Sequence, residues 1–483
     1  MSVHYADGAV ILHHGDCLDV MAEMADASVD AVVTDPPYGL EFMGREWDRL
    51  APVDRARMDG ARRDHGSARI GGFERAGVRY SIDGLAAQAW HQKWATECLR
   101  VLKPGGHLLA FGGSRTWHRL ASAIEDAGFE MRDSIAWLYG SGFPKSLDVS
   151  KAIDKAAGAE REVVSEGKAV KRMIPGADQG ATGSWIKDNG RTFTPTVTRA
   201  GTPEAAEWNG WGTALKPAFE PIVVARKPLN GTVAANVLKH GTGALNVDAC
   251  RVEAHDSQLA EKYASVQNAP PRNNSIYGED KRSREGATPN DAGRWPPNVA
   301  LDTSQAAELD RQTGVTTSRI GQPRGAASGD GWGMTATGAE YDDQGGASRF
   351  FPTFHYAAKA STSERPREDD TSHPTVKPVD LMRWLVRLVT PGGGLVLDPF
   401  AGSGTTAEAC VVEGMRCVLI EKSEEYLPLI VQRLTKPIQV ALDATDETII
   451  RPAEDPRAAL ALATRLRQGT LSFHPEEIEE DAS

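Results

Sequence analysis

Two short runs in this 483-residue chain combine residue types that can do chemistry. The first is Asp35-Pro36-Pro37-Tyr38. Consecutive prolines fix the backbone and remove two N–H donors, so the corner offers carbonyls as acceptors only. A carboxylate stands on one side and an aromatic ring on the other. Such a corner suits an exocyclic amino group held in plane: Asp35 and the Pro36 carbonyl each accept one N–H, and Tyr38 stacks on the ring carrying the amine. An ordinary turn capped by its Asp fits the tetrapeptide too. The second run is Gly394-Leu-Val-Leu-Asp398-Pro-Phe400-Ala-Gly402-Ser-Gly404-Thr405-Thr406, with Glu421 downstream. Glycine lets a ligand approach the backbone, a helix N-terminus offers free N–H groups, and a carboxylate ending the next strand accepts bonds from ribose hydroxyls. No Gly-Lys-[Ser/Thr] follows, which excludes a P-loop. With Ala407 as a third small residue, the run alone fits a nicotinamide dinucleotide equally well.

The elements that must position these runs are legible at both ends of the chain. Val29 to Thr34 is apolar and β-branched and predicts a buried strand running into Asp35. Leu85 to Leu102 has helical periodicity through Trp90, Trp94, Cys98 and Leu102, and Pro104-Gly105-Gly106 breaks it. His107 to Phe111, Ser134 to Tyr139 and Pro221 to Ala225 are strand candidates, and Trp117 to Ala127 is a helix stopped by Gly128. Towards the C-terminus, Val379 to Val389 is an amphipathic helix, Gly394 to Leu397 a strand, Thr405 to Glu413 a helix and Cys417 to Ile420 a strand. Alternating strands and helices with short connections imply an α/β fold, a largely parallel sheet covered on both faces.

Three stretches interrupt the pattern: Gly44 to Gly84, Gly140 to Lys216 and Asn230 to Arg349, rich in Gly, Pro, Asn, Ser and Arg. They read as insertions on the sheet's loops. The second is expected to open with a helix, Ser146 as N-cap and Leu147 to Ala157 as body. No internal repeat of fixed period is found. The five cysteines form no C-x-x-C pair, so neither zinc nor a disulfide framework is indicated, and no metal site is expected. No apolar run approaches the roughly 20 residues that span a bilayer, and Met1 to Asp16 does not have the form of a signal peptide. The expected compartment is the cytoplasm. The net charge of -12 sits awkwardly with a nucleic-acid partner. Its distribution is uneven, however. Ala441 to Ser483 holds ten acids and four bases, a net of -6, whereas Gly44 to Arg79 holds nine arginines and six acids, a net of +3. Phosphate binding follows local Lys/Arg placement rather than total charge.

Taken together, the tetrapeptide at Asp35 and the Asp398-to-Thr406 turn resemble the DNA amino-methyltransferases. The resemblance covers roughly residues 10–140 and 355–435. It implies a Rossmann-like, S-adenosylmethionine-dependent methyltransferase sheet of seven strands with one antiparallel strand near the edge. Here the catalytic motif precedes the cofactor motif, an order similar to the circularly permuted β group, which places its target-recognition region between the two. Gly15-Asp16-Cys17-Leu18 resembles the acidic motif near the cofactor's adenine. His373-Pro374-Thr375-Val376-Lys377-Pro378 resembles the segment that lines its methionine end. The resemblance thus implies catalytic roles for Asp35, Pro36, Pro37 and Tyr38, and cofactor contacts by Asp16, Thr375, Lys377, Asp398, Phe400, Gly402, Gly404, Thr405 and Glu421. The implied division is a catalytic half at 1–139, an insertion at 140–218, a sheet strand within 219–229, a target-recognition insertion at 230–354, a cofactor-binding half at 355–440 and an acidic tail at 441–483.

The implied reaction is methyl transfer to an amine in double-stranded DNA, in a bacterial or phage-infected cell, with a restriction endonuclease as a possible partner and the oligomeric state open. Hydrogen bonds to Asp35 and the Pro36 carbonyl favour sp³ character at a nitrogen whose lone pair is otherwise delocalised. Orientation then supplies most of the acceleration. No covalent intermediate is needed, in keeping with the absence of a Pro-Cys dipeptide. The target base must leave the stack. Asp at the first tetrapeptide position resembles the adenine-N6 members; cytosine N4 is the alternative. Sequence readout is expected from the insertions, through Trp185, Trp208, Trp211, Trp295 and Trp332 and through Arg191, Arg272, Arg294 and Arg349, with Phe143 bordering the base pocket. Competing readings are an NAD(P)-dependent oxidoreductase, a methyltransferase of RNA or protein, and a DNA-binding protein with a dead methyltransferase fold.

Overall fold

A computed structural model describes residues 2–38, 72–140, 142, 146–168, 170–171, 178–179, 185–186, 192–253, 293–317, 343–355, 376–435, 438–443 and 446–450. Two compact units emerge: 1–141 with 218–483, and 142–217.

The larger unit is built on one ten-stranded sheet. In chain order its strands are β1 (Ser2–Ala6), β2 (Val10–His14), β3 (Val29–Thr34), β4 (Leu102–Phe111), β5 (Glu130–Leu138), β6 (Phe219–Arg226), β7 (Val299–Asp302), β8 (Thr353–Phe354), β9 (Leu395–Asp398) and β10 (Arg416–Glu421). In space they run β1-β2-β10-β9-β3-β4-β6-β5-β7-β8. All pairings are parallel except β1 with β2 and β6 with both its neighbours. The sheet therefore exceeds the seven strands implied by the resemblance. The last two strands of this sheet in chain order, β9 and β10, lie between β2 and β3. From β3 the chain winds one way across the sheet, and from β9 the other way. The carboxyl ends of β3 and β9 therefore flank a topological switch point, where open α/β sheets bind ligands.

The unit also holds helices α1 (Cys17–Ala22), α2 (Gly72–Val101), α3 (Trp117–Asp126), α4 (Val233–His240), α5 (Thr303–Thr313), α6 (Val379–Val389), α7 (Thr405–Val412) and α8 (Leu427–Thr435), and two small antiparallel strand pairs, Thr316–Thr317 with Gln344–Gly345 and Ile438–Asp443 with Asp446–Ile450. Side chains alternate across each strand, so the sheet feeds two cores. Ala31, Val33, Leu109, Phe111, Val396 and Leu419 pack with Leu381, Leu385 and Val389 of α6 and Cys410 of α7. Val32, Leu108, Ala110, Leu397, Val418 and Ile420 pack with Val20 and Met21 of α1, Trp94 and Cys98 of α2, and Leu120 and Ile124 of α3. Burial on both faces explains why β3 reads as a continuous apolar run. Its single charge, Asp30, is tied to Lys103 and accepts from the backbone N–H of Leu395 at 2.8 Å, which locks β3 to β9. All five cysteines are buried free thiols.

The structure departs from expectation in several places. Helix α2 starts at Gly72, well before Leu85. Strand β4 begins at Leu102 and includes Pro104-Gly105-Gly106, so these residues end the helix but do not delay the strand. Gly105 stands at φ +80°, and a Cβ there would lie 2.4 Å from Asn236 Nδ2. The stretch expected as loop from Asn230 also contains α4, β7 and α5. The four residues of β7 are too few to show a period.

The smaller unit holds a helix at Val149–Ala157 and short antiparallel strand pairs. Its helix is capped by Asp148, which accepts from Lys151 N, and not by Ser146. The Ser146 hydroxyl instead accepts from the N–H groups of Thr213 and Ala214. Buried Asp154 binds Arg161, Gly201 N and Thr202 N, satisfying the turn into a second helix, Pro203–Glu207. Residues 451–483, most of the stretch read as an acidic tail, lie outside the described residues.

Among the described residues, no helix is long and apolar enough to cross a membrane.

Candidate active site

The switch point gathers most of the residues singled out in the sequence. Thr34, the last residue of β3, donates from its hydroxyl to Asp398 Oδ1 at 2.6 Å. Asp398 ends the neighbouring strand β9 and also accepts from Thr406 Oγ1 and from Phe400 N. Burial raises the Asp398 carboxyl to about 6 against the pull of those three donors. Asp398 thus splices β3 to the glycine turn.

Asp35-Pro36-Pro37-Tyr38 leaves β3 immediately beyond this splice. The Tyr38 hydroxyl donates to Asp35 Oδ1 at 2.8 Å. Its ring lies against Gly113, where a Cβ would come within 3.2 Å of Tyr38 Cδ2. Burial, with the charges of Asp35 and Glu220, pushes the Tyr38 phenol well above its usual range, so it stays a neutral donor.

Lys377 reaches the same spot from just before α6. Its Nζ lies 3.1 Å from Asp35 Oδ2, 2.9 Å from Glu220 Oε2 and 3.2 Å from the Tyr38 hydroxyl, and 4.6 Å above the Phe111 ring. Burial pulls the ammonium down, but Asp35 and Glu220 outweigh it, and its pKa stands well above the ordinary value. Lys377 therefore touches the tetrapeptide directly. Thr375 lies outside the described residues.

On the other side of the splice, Gly402 and Gly404 have φ +54° and +76°. The Gly402 N–H donates to Glu421 Oε2 at 2.8 Å, and Ser423 N–H donates to Glu421 Oε1 at 2.7 Å. Burial lifts the Glu421 carboxyl to about 7. Thr405 opens α7, its hydroxyl 2.9 Å from that of Ser403. Arg433 of α8 holds the Ser403 carbonyl at 2.8 Å, fixing the turn from behind. His14 is paired with Glu421 across β2 and β10, which brings Asp16 to the same edge. Asp16 caps α1 through Leu18 N and pairs with Lys422 at 2.9 Å. Burial pushes the Asp16 carboxyl up, but Lys422 and the Leu18 N–H outweigh it, and it lies below its usual value. Phe400 packs against Trp94, and against Trp90 at 5.7 Å between ring centroids.

These groups fit S-adenosylmethionine. Two carboxylates at adjacent strand ends suit ribose hydroxyls and an adenine amine, an aromatic wall suits a purine face, and the turn from Gly402 to Thr406 carries no cation for a pyrophosphate. Sequence reasoning missed Glu220 and gave Trp90 no role at the site. Glu220 is a single acid in an apolar strand, brought there by the sheet register, in which β6 pairs Ile222 with Phe111. Trp90 was visible only as helical periodicity. Phe143, Arg191, Arg272 and Trp332 lie outside the described residues. Trp208 and Trp211 form an edge-to-face pair at 5.0 Å in the smaller unit. In the larger unit, Arg251 lies over Trp295, and Arg294 and Arg349 both bind Asp343. Among the described residues, no cluster of His, Cys, Asp or Glu could hold a metal.

A family model described as DNA methylase, of the N6/N4 methyltransferase type, matches residues 29–432, and the chain belongs to that family. The Type II methyltransferase M.HindIII of Haemophilus influenzae is 23% identical over 247 residues, 49% of this chain and 64% of that protein. The Type II methyltransferase M.ScaI of Streptomyces caespitosus is 37% identical over 89 residues, 18% of this chain and 28% of that protein. The chain thus spans less than two thirds of the length of either relative. Among solved structures, the M1.HpyAVI–SAM complex is 13% identical with a TM-score of 0.36, covering 88% of this chain and 100% of that one. The PvuII DNA methyltransferase, cytosine-N4-specific, is 12% identical with a TM-score of 0.38, covering 97% and 95%.

Proposed function

We propose that this protein transfers a methyl group from S-adenosylmethionine to N6 of adenine in double-stranded DNA. The observation that carries the reading is the splice: Asp35 and the Gly402–Gly404 turn leave the carboxyl ends of adjacent parallel strands joined by the Thr34–Asp398 bond. The cofactor supplies an electrophilic sulfonium methyl, and attack by the amine nitrogen breaks the S–C bond as the N–C bond forms. Asp16, Glu421, Gly402, Gly404, Thr405 and Phe400 hold the nucleoside, while Asp398 keeps the turn against β3. Asp35 and the Pro36 carbonyl accept the two amine N–H groups and aim the lone pair, and Tyr38 stacks on the extruded base. The proton released from the methylated nitrogen leaves through Asp35 or water. The Asp at position 35, typical of the adenine members that the tetrapeptide resembles, is the ground for choosing adenine. A restriction endonuclease with the same target site is the partner this reading proposes.

The test is incubation with methyl-labelled S-adenosylmethionine and mixed-sequence duplex DNA, followed by digestion to nucleosides. Label in N6-methyladenine is expected. Label in N4-methylcytosine would correct the base, and label only in C5-methylcytosine, or none, would overturn the reading.

A further inference from the structure

Both oxygens of the Asp35 carboxylate already have a partner in the unliganded protein. Its Oδ1 takes the Tyr38 hydroxyl and its Oδ2 takes the Lys377 ammonium. An ammonium has three N–H donors, and here they face Asp35, Glu220 and the Tyr38 hydroxyl. Lys377 is therefore a built-in competitor for Oδ2. It is largely buried, with 12% of its side chain exposed, so the charge cannot simply move into water. Glu220, held on the antiparallel strand β6, is the second anion within reach.

We propose that Glu220 is a positioning residue for methyl transfer: it retains the Lys377 ammonium when the base enters, so that Asp35 Oδ2 is released to the target amine. The inference rests on the methyltransferase reading above. Two carboxylates around one lysine also give this three-residue cluster a formal net charge of -1, which suits a reaction that moves a positive charge from sulfur to nitrogen. Without the Glu220 charge, Lys377 has Asp35 as its one close anion among the described residues and competes with the substrate for it.

Glu220→Gln is therefore expected to slow single-turnover methyl transfer on the order of 10²-fold, the scale of an ångström-level misplacement of a reacting group. S-adenosylmethionine affinity should stay within about twofold, because Glu220 touches none of the groups at the Glu421 end of the site. Glu220→Asp should recover part of the rate. The decisive variant is Glu220→Gln with Lys377→Met, which removes the competitor and should transfer faster than Glu220→Gln alone. A purely structural role predicts the reverse. Full activity in Glu220→Gln, or a double variant no faster than the single, overturns the proposal. A structure of the unaltered protein with target DNA and a non-transferable sulfonium analogue supplies an independent check. Nζ should then contact Glu220 and stand clear of Asp35, and a retained Asp35 contact overturns the proposal as well. Wild-type protein that methylates no DNA would sink the functional reading itself, whereas failure of the variants alone leaves that reading standing.

Discussion

At the scale of single residues, Glu421 sets a pH dependence with a definite sign. Its carboxyl is raised to about 7 by burial, while ribose hydroxyls are best accepted by the ionised form. S-adenosylmethionine affinity should rise about tenfold between pH 6 and pH 8 as the ionised fraction grows. The unliganded fold runs the opposite way. A carboxyl raised on folding stabilises most fully below its unfolded value, and that contribution is lost as pH rises through about 7. Titration calorimetry across this range checks the binding trend, and Glu421→Gln should flatten it. An unchanged slope in that variant would assign the pH response elsewhere. Single residues also mark where the sequence was readable. Asp35, Pro36, Pro37 and Tyr38 are contiguous, so their chemistry is visible together. Glu220 and Lys377 are 157 positions apart and meet only through sheet register and the approach to α6.

At the scale of elements, the turn between β9 and α7 stores a testable constraint. Gly404 has φ +76°, and a Cβ there would come within 2.9 Å of Ile430 Cγ2 on α8. Gly158 ends the helix Val149–Ala157 at φ +67° with nothing within 4 Å of its Cβ position. Alanine at either site incurs about 1–2 kcal/mol for the left-handed conformation. Gly404→Ala should add about 1–3 kcal/mol of overpacking and shift α7 with it. Thermal or urea unfolding should therefore rank Gly404→Ala clearly below Gly158→Ala, and only the former should weaken cofactor binding. Equal losses would show that α8 yields freely. Elements with strong periodicity were legible, above all α6, whose expected and observed bounds coincide at Val379–Val389. The N-cap of Val149–Ala157 was placed two residues early because Ser146 and Asp148 are both capping types. Tertiary contact decided between them, since Thr213 and Ala214 claim the Ser146 hydroxyl.

At the scale of the whole molecule, the chain solves a connectivity problem. The Asp35–Tyr38 corner lies towards one end of the sequence and the Gly402–Gly404 turn towards the other, 364 positions apart at the Thr34–Asp398 bond. Inserting β9 and β10 between β2 and β3 brings them to one switch point. The order of the motifs made this arrangement legible beforehand. The outer strands β7 and β8 were not legible, being four and two residues long. The central claim is that the two motifs serve one pocket in separable roles, and Asp35→Ala tests it most directly. Single-turnover transfer to duplex DNA and S-adenosylmethionine binding should be measured on the same preparation. Transfer is expected to fall by on the order of 10² to 10⁴ while cofactor affinity stays close to wild type. Undiminished transfer by Asp35→Ala would contradict the account.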